Sequence, residues 1–146
     1  MSGTILLVED NEDDVFLMRR ALRDAGITNP LLVLSDGLEV IDYLGATGPH
    51  AQRGPLPAQM VVLLDLKLPK RSGHEVLEWI RQQPHFAKLI VIILTSSSEP
   101  VDLNRAYRLG ANSYVVKPPT ATQLLELTEA FKLWWLKQDQ VGAAKE

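Results

Sequence analysis

The sequence contains no cysteine, which excludes a disulfide framework, a thiolate metal site and a cysteine nucleophile. It also lacks a long hydrophobic run. The longest wholly aliphatic stretch, Leu89 to Leu94, is six residues, against about 20 for a membrane-crossing helix. Met1 to Asp14 shows no basic leader followed by a small-residue cleavage site, so a secretory signal is not expected. Together these absences predict a cytoplasmic protein that does not enter the membrane. A large charge excess is missing too. Fifteen Lys and Arg against eighteen Asp and Glu leave a formal net charge of -3, which argues against nonspecific nucleic-acid binding as the main activity. What remains is a chain of 146 residues, 46% hydrophobic and 23% charged, with the balance of one globular domain over residues 1–146 and no room for a second.

The acidic residues are unevenly placed. Glu9, Asp10, Glu12, Asp13 and Asp14 supply five of the eighteen within six positions, directly after an aliphatic run. Asp10 or Asn11 could cap a helix there, with Glu12, Asp13 and Asp14 at its positive end. That leaves Glu9 and Asp10 as the candidates for another role.

Periodicity organises the rest. Thr4 to Val8 has strand length and character, and Val15, Met18, Leu22 and Ala25 then recur at helical spacing up to Gly26. The alternation repeats with Leu31 to Leu34 followed by Leu38, Ile41 and Leu44, then Met60 to Leu64 followed by Val76, Leu77 and Ile80. Ile90 to Leu94 precedes Leu103, Ala106 and Tyr107, and Ser113 to Val116 precedes Leu124, Leu127, Phe131 and Trp134 or Trp135. Five strands alternating with five helices, the central strands continuously aliphatic, predict an α/β fold with a doubly wound parallel sheet. Gly45 to Pro57 holds three Gly and three Pro, so residues 45–58 should form an irregular excursion between the second helix and the third strand. The core is expected over about residues 3–137, and the tail 138–146 is expected to fray.

In an open parallel sheet, ligands bind beyond the carboxyl ends of the strands. The residues found there are Glu9 and Asp10, Asp65, Thr95 and Ser96, and Lys117. Three clustered carboxylates raise one another's pKa unless a cation shares the site. An all-oxygen ligand set, with His50, His74 and His85 elsewhere and showing no metal spacing, favours Mg²⁺ or Mn²⁺ over zinc. Mg²⁺ leans on one or two carboxylates plus phosphate oxygens, so such a site suits a phosphoryl group. Asp65 is the candidate nucleophile, since an ionised carboxylate attacks phosphorus without a general base. Lys117 and the Thr95 hydroxyl could meet the remaining phosphoryl oxygens. Taken singly, Asp65 could cap a turn, Thr95 could be an ordinary turn residue and Lys117 a solvated lysine. Tyr114 reads by default as a half-buried strand residue, the Trp pair as helix packing, and the three histidines as surface or loop residues.

The segments ILLVEDNEDD, VVLLDLKLPKRSG, VIILTSSS and SYVVKPP, in this order and at these strand ends, resemble the receiver domain of two-component response regulators. The resemblance covers roughly residues 3 to 137. It implies the strand order 2-1-3-4-5 of the flavodoxin-like receiver fold, with Asp65 as phosphoacceptor and Glu9 and Asp10 as the acidic pair for Mg²⁺. It further implies that Lys67 offers a backbone carbonyl to the metal, Thr95 is the switch hydroxyl, Tyr114 the switch aromatic and Lys117 the phosphate contact. Pro118 would follow a cis peptide bond. The first member of the family's acidic pair is most often Asp, and the longer Glu9 leaves open contact with the metal directly or through water. The implied partner is a sensor histidine kinase, and the Gly/Pro excursion and Trp-containing last helix resemble the regulators that partner cyanobacterial and bacterial phytochromes. Output would run through protein contacts without DNA binding, and a homodimer through the last helix or the face around the fourth and fifth elements is compatible with it. Alternatives are a phosphorelay intermediate or phosphate sink, and a flavodoxin-like cofactor carrier. The last should carry a Ser/Thr/Gly-rich phosphate loop where this chain has Glu9 to Asp14.

Overall fold

In the computed structural model, residues 3–117, 119–120, 122–127, 129–130 and 133 are described. The order is β1 (Thr4–Val8), α1 (Glu12–Asp24), β2 (Leu31–Leu34), α2 (Gly37–Gly45), β3 (Met60–Leu64), α3 (Gly73–Gln82), β4 (Ile90–Thr95), α4 (Pro100–Arg108) and β5 (Ser113–Val116). Residues 122–127 are helical and supply the start of the fifth helix. Pro118, Phe131, Trp134, Trp135 and the tail 138–146 lie outside the described residues. The five strands form one parallel sheet in the order β2-β1-β3-β4-β5, as the resemblance implies.

Alternation along the strands divides the core. Leu6, Val8, Val62, Leu64, Val91 and Ile93 face Val40 and Leu44 of α2, Val76, Leu77 and Ile80 of α3, and Ala106 of α4. Ile5, Leu7, Val61, Leu63, Ile92 and Leu94 face Met18 and Leu22 of α1, with Leu127 packed alongside. Residues i and i+1 of a strand point to opposite faces, so an unbroken aliphatic run is what a sheet covered on both sides requires. Two of the spaced residues do not follow their helix inward: Leu38 and Tyr107 are exposed. On α2 the inward stripe is Val40 and Leu44. On α4, a helix of nine residues, Ala106 alone is fully covered.

The helices α1, α2 and α3 each start where a side-chain cap dictates. Asn11 accepts from the Asp14 amide at 3.1 Å, Asp36 from the Glu39 amide at 2.7 Å, and Ser72 forms a reciprocal capping box with Glu75. Capping holds the Glu75 carboxyl below its ordinary range, chiefly through the Ser72 backbone N–H. Asn11 is thus the cap of α1, leaving Asp10 free of that task. The Gly/Pro excursion is held by Arg53, whose guanidinium donates to the carbonyls of Tyr43, Leu44 and Gly54 and lies 5.6 Å from the Tyr43 ring centroid. A cation on the C-terminal carbonyls of α2 also offsets the negative end of its dipole. Among the described residues no helix is long and apolar enough to cross a membrane.

Candidate phosphoryl-acceptor site

Glu9, Asp65 and Thr95 sit where β1, β3 and β4 end, and all three are buried although polar, with Asp65 6% and Thr95 0% exposed. Parallel pairing sets this convergence. Val8 pairs with Leu64 in register, so the next residues, Glu9 and Asp65, leave the sheet side by side, and the Asp65 amide donates to the Val8 carbonyl at 3.2 Å. The β4–β5 ladder does the same on the other side, with the Lys117 amide donating to the Thr95 carbonyl at 2.7 Å. Carboxylate oxygens of Glu9, Asp10 and Asp65 lie within 4.8 Å of one another, with Asp10 exposed at the rim.

Lys117 is the hub of the charges. Its ammonium donates to Glu9, to Asp14 Oδ2 at 2.9 Å and to Asp65 Oδ2 at 3.1 Å. One positive charge thus faces three carboxylates, and Asp10 adds a fourth at the rim. Burial pushes the Glu9 carboxyl up to about 7; the Lys117 hydrogen bond opposes the rise and the neighbouring Asp65 charge adds to it. For Lys117 burial disfavours the charged form, but Glu9, Asp14 and Asp65 outweigh it and hold the ammonium above its ordinary range. An excess of carboxylate oxygens with a buried member driven toward neutrality is an environment that a hard divalent cation would relieve. The donors at hand are all oxygens, so the residues fit such an ion.

The loop after β3 presents Asp65. The Lys67 amide donates to Asp65 Oδ1 at 3.3 Å, and the Gly73 amide to the Leu66 carbonyl at 2.9 Å. A Cβ on Gly73 would stand 2.2 Å from the Asp65 carbonyl oxygen, so only glycine lets α3 begin this close to the site. The Thr95 hydroxyl accepts from the Ser97 amide at 3.4 Å. The Tyr114 hydroxyl donates to the Ser97 carbonyl, and burial pushes its phenol up. The two residues anticipated as a switch therefore meet at Ser97, two positions beyond Thr95.

Sequence reasoning placed Asp14 with the helix-start residues. It does occupy the first turn of α1, yet its carboxylate also binds Lys117. Its position one turn beyond Asp10 was the available signal. His74 departs from the surface expectation: it is buried in the first turn of α3, with Nε2 3.3 Å from the Asp102 carbonyl. His85 is exposed, and His50 lies edge-on to Tyr43.

The family profile described as "Response regulator receiver domain" matches residues 5–129. Among curated proteins, "Probable methanogenesis regulatory protein FilR2" of Methanothrix harundinacea is 41% identical over 132 residues, covering 90% of this chain and 83% of that protein. "Response regulator Rcp1" of Synechocystis is 34% identical over 140 residues, covering 96% and 93%. The Mn²⁺-bound crystal structure of Rcp1 superposes with a TM-score of 0.73 over 91% of this chain and 94% of that one. The phosphorylated cyanobacterial phytochrome response regulator RcpA, 32% identical, superposes with a TM-score of 0.75 over 93% and 95%. By sequence, strand order and superposition alike, the chain belongs to the response regulator receiver family.

Proposed function

We propose that this receiver accepts a phosphoryl group from a histidine kinase on Asp65 and passes the signal to a protein partner through a conformational change. The observation that carries this reading is Lys117: one ammonium drawn against a buried Asp65 carboxylate at 3.1 Å, with Glu9 and Asp10 beside it. The Asp65 oxygen attacks phosphorus, the P–N bond to the kinase imidazole breaks, and an acyl phosphate forms. Lys117 is placed to neutralise charge on the transferred oxygens, and the water-poor strand ends strengthen that attraction. Glu9, Asp10, Asp65 and the Lys67 carbonyl would hold Mg²⁺, with Mn²⁺ an acceptable substitute. When bound, the ion supplies charge neutralisation and orientation for the phosphoryl oxygens. Two added negative charges then favour movement of the Thr95 hydroxyl toward the phosphoryl group and a new position for Tyr114.

The manganese in Rcp1 and the phosphorylated state of RcpA support the metal and the modification. RcpA is a cyanobacterial phytochrome response regulator, which supports a phytochrome-type kinase as the donor. FilR2 is described as a probable methanogenesis regulatory protein, which favours finding the donor by phosphotransfer screening.

The test is labelling by acetyl phosphate followed by intact mass. Wild type gains one phosphoryl group only when Mg²⁺ is present, and Asp65→Asn gains none. Absence of labelling in wild type, under conditions that label other receivers, overturns the reading.

A further inference from the structure

The start of α4 is fastened in an unusual way. Glu99, its N-cap, makes no side-chain capping bond, and Pro100 follows at the first helical position. The fastening comes from Ser97. Its hydroxyl donates to Asp102 Oδ2 at 2.6 Å and accepts from the Glu99 amide at 3.4 Å. The remaining groups of Ser97 reach the switch: its amide donates to Thr95 Oγ1, and its carbonyl accepts from the Tyr114 hydroxyl. Asp102 in turn reaches α3, its carbonyl oxygen 3.3 Å from Nε2 of buried His74. His74 adjoins Gly73, whose backbone packs on the Asp65 carbonyl. One residue thus joins the segment after β4 to the first turns of both α3 and α4.

We infer that Asp102 is a positioning residue, a latch that holds the 95–99 segment in the observed place and sets how readily Thr95 moves toward a phosphoryl group on Asp65. The inference rests on the reading of Asp65 as acceptor. Thr95 and Ser97 are buried, and a charge-assisted hydrogen bond is stronger than a neutral one. Displacing the segment toward Asp65 must therefore either break the Ser97–Asp102 bond or draw the first turn of α4 along with it. Both exposed apolar side chains of α4, Val101 at 73% and Tyr107 at 49%, would report that displacement to a partner. An ordinary helix cap would contribute to stability alone and would leave the balance between two segment positions untouched.

The probe is beryllofluoride with Mg²⁺, a stable mimic of the phosphoryl group. Asp102→Ala and Ser97→Ala each release the latch and should bind it about fivefold more tightly than wild type. Asp102→Asn keeps a neutral acceptor for the Ser97 hydroxyl and should bind with an affinity between those of wild type and Asp102→Ala. The double variant Ser97→Ala/Asp102→Ala should bind no more tightly than either single one, because both remove the same bond. Amide hydrogen exchange over residues 96–103 should quicken in Asp102→Ala and to a smaller extent in Asp102→Asn. Unchanged affinity in the alanine variants, additivity in the double variant, or an Asn variant that behaves like the Ala variant overturns the latch. If wild type fails to bind beryllofluoride at all, the acceptor reading falls and the Thr95 coupling with it. Hydrogen exchange then decides the remaining element: unchanged exchange in Asp102→Ala means that Asp102 does not hold the segment.

Discussion

At Glu9 two demands on one side chain collide. The end of β1 buries the carboxylate, while Asp65 beside it adds like charge, and Lys117 answers both only in part. The folded state therefore takes up a proton at Glu9 at a pH where the unfolded chain, near its ordinary value of 4.5, has released it. Stability rises with pH only where the unfolded state binds more protons, and here the folded state binds more. The contribution from Glu9 is thus fully present below pH 4.5 and is lost as pH rises through about 7. In protein stripped of divalent ions with EDTA, urea midpoints across this window should fall more steeply with pH in wild type than in Glu9→Gln. Equal slopes would show that the burial of Glu9 does not set its protonation. The types and strand-end positions of these residues were legible in the sequence, because an acidic residue just after a buried strand has few structural reasons to be there. The sharing of one ammonium by Glu9, Asp14 and Asp65 was not, since Lys117 stands 103 positions from Asp14 and 108 from Glu9.

Among the elements, helix starts do the positioning. Asn11, Asp36 and Ser72 end their loops by accepting from the first turns of α1, α2 and α3, and such caps contribute about 1 kcal/mol each. Those caps are local patterns, open to a reader of sequence. The close approach of α3 to the β3 end is not, because it depends on a missing side chain meeting a backbone atom eight residues earlier. Gly73→Ala should force that contact apart. We expect a loss of about 2 kcal/mol, the usual scale for overpacking, measured by urea unfolding, together with slower labelling at Asp65. A variant as stable as wild type would mean that the loop yields to the added methyl at little cost. The periodicity of α4 was similarly incomplete: Leu103, Ala106 and Tyr107 have helical spacing, but a short helix over the sheet edge covers Ala106 and leaves Tyr107 to solvent. His74 was misplaced for the same reason, since helix–helix packing between α3 and α4 is invisible to spacing within either one.

Across the whole molecule, a single sheet ties two apolar layers together. Ile92 lies in the layer under α1, whereas its neighbour Ile93 lies in the layer under α3, and β4 pairs with β3 on one side and β5 on the other. Ile92→Ala should cost about 2–5 kcal/mol, the transfer term plus an incompletely filled cavity. Tryptophan fluorescence and far-ultraviolet circular dichroism should still report one coincident urea transition, because neither layer can open without the strand both share. Separate transitions by the two probes would show that the layers unfold independently. By itself the sequence determined the β/α alternation, the two-sided burial of the strands and the chemistry at their ends, because periodicity and residue type act within a few neighbouring positions. Only the tertiary structure decided that Lys117 would serve three carboxylates, that Asp102 would join Ser97 to His74, and that Arg53 would fasten the Gly/Pro excursion to α2. These are pairings across loops and between elements, and their partners are chosen by where strand register and helix packing bring the chain together.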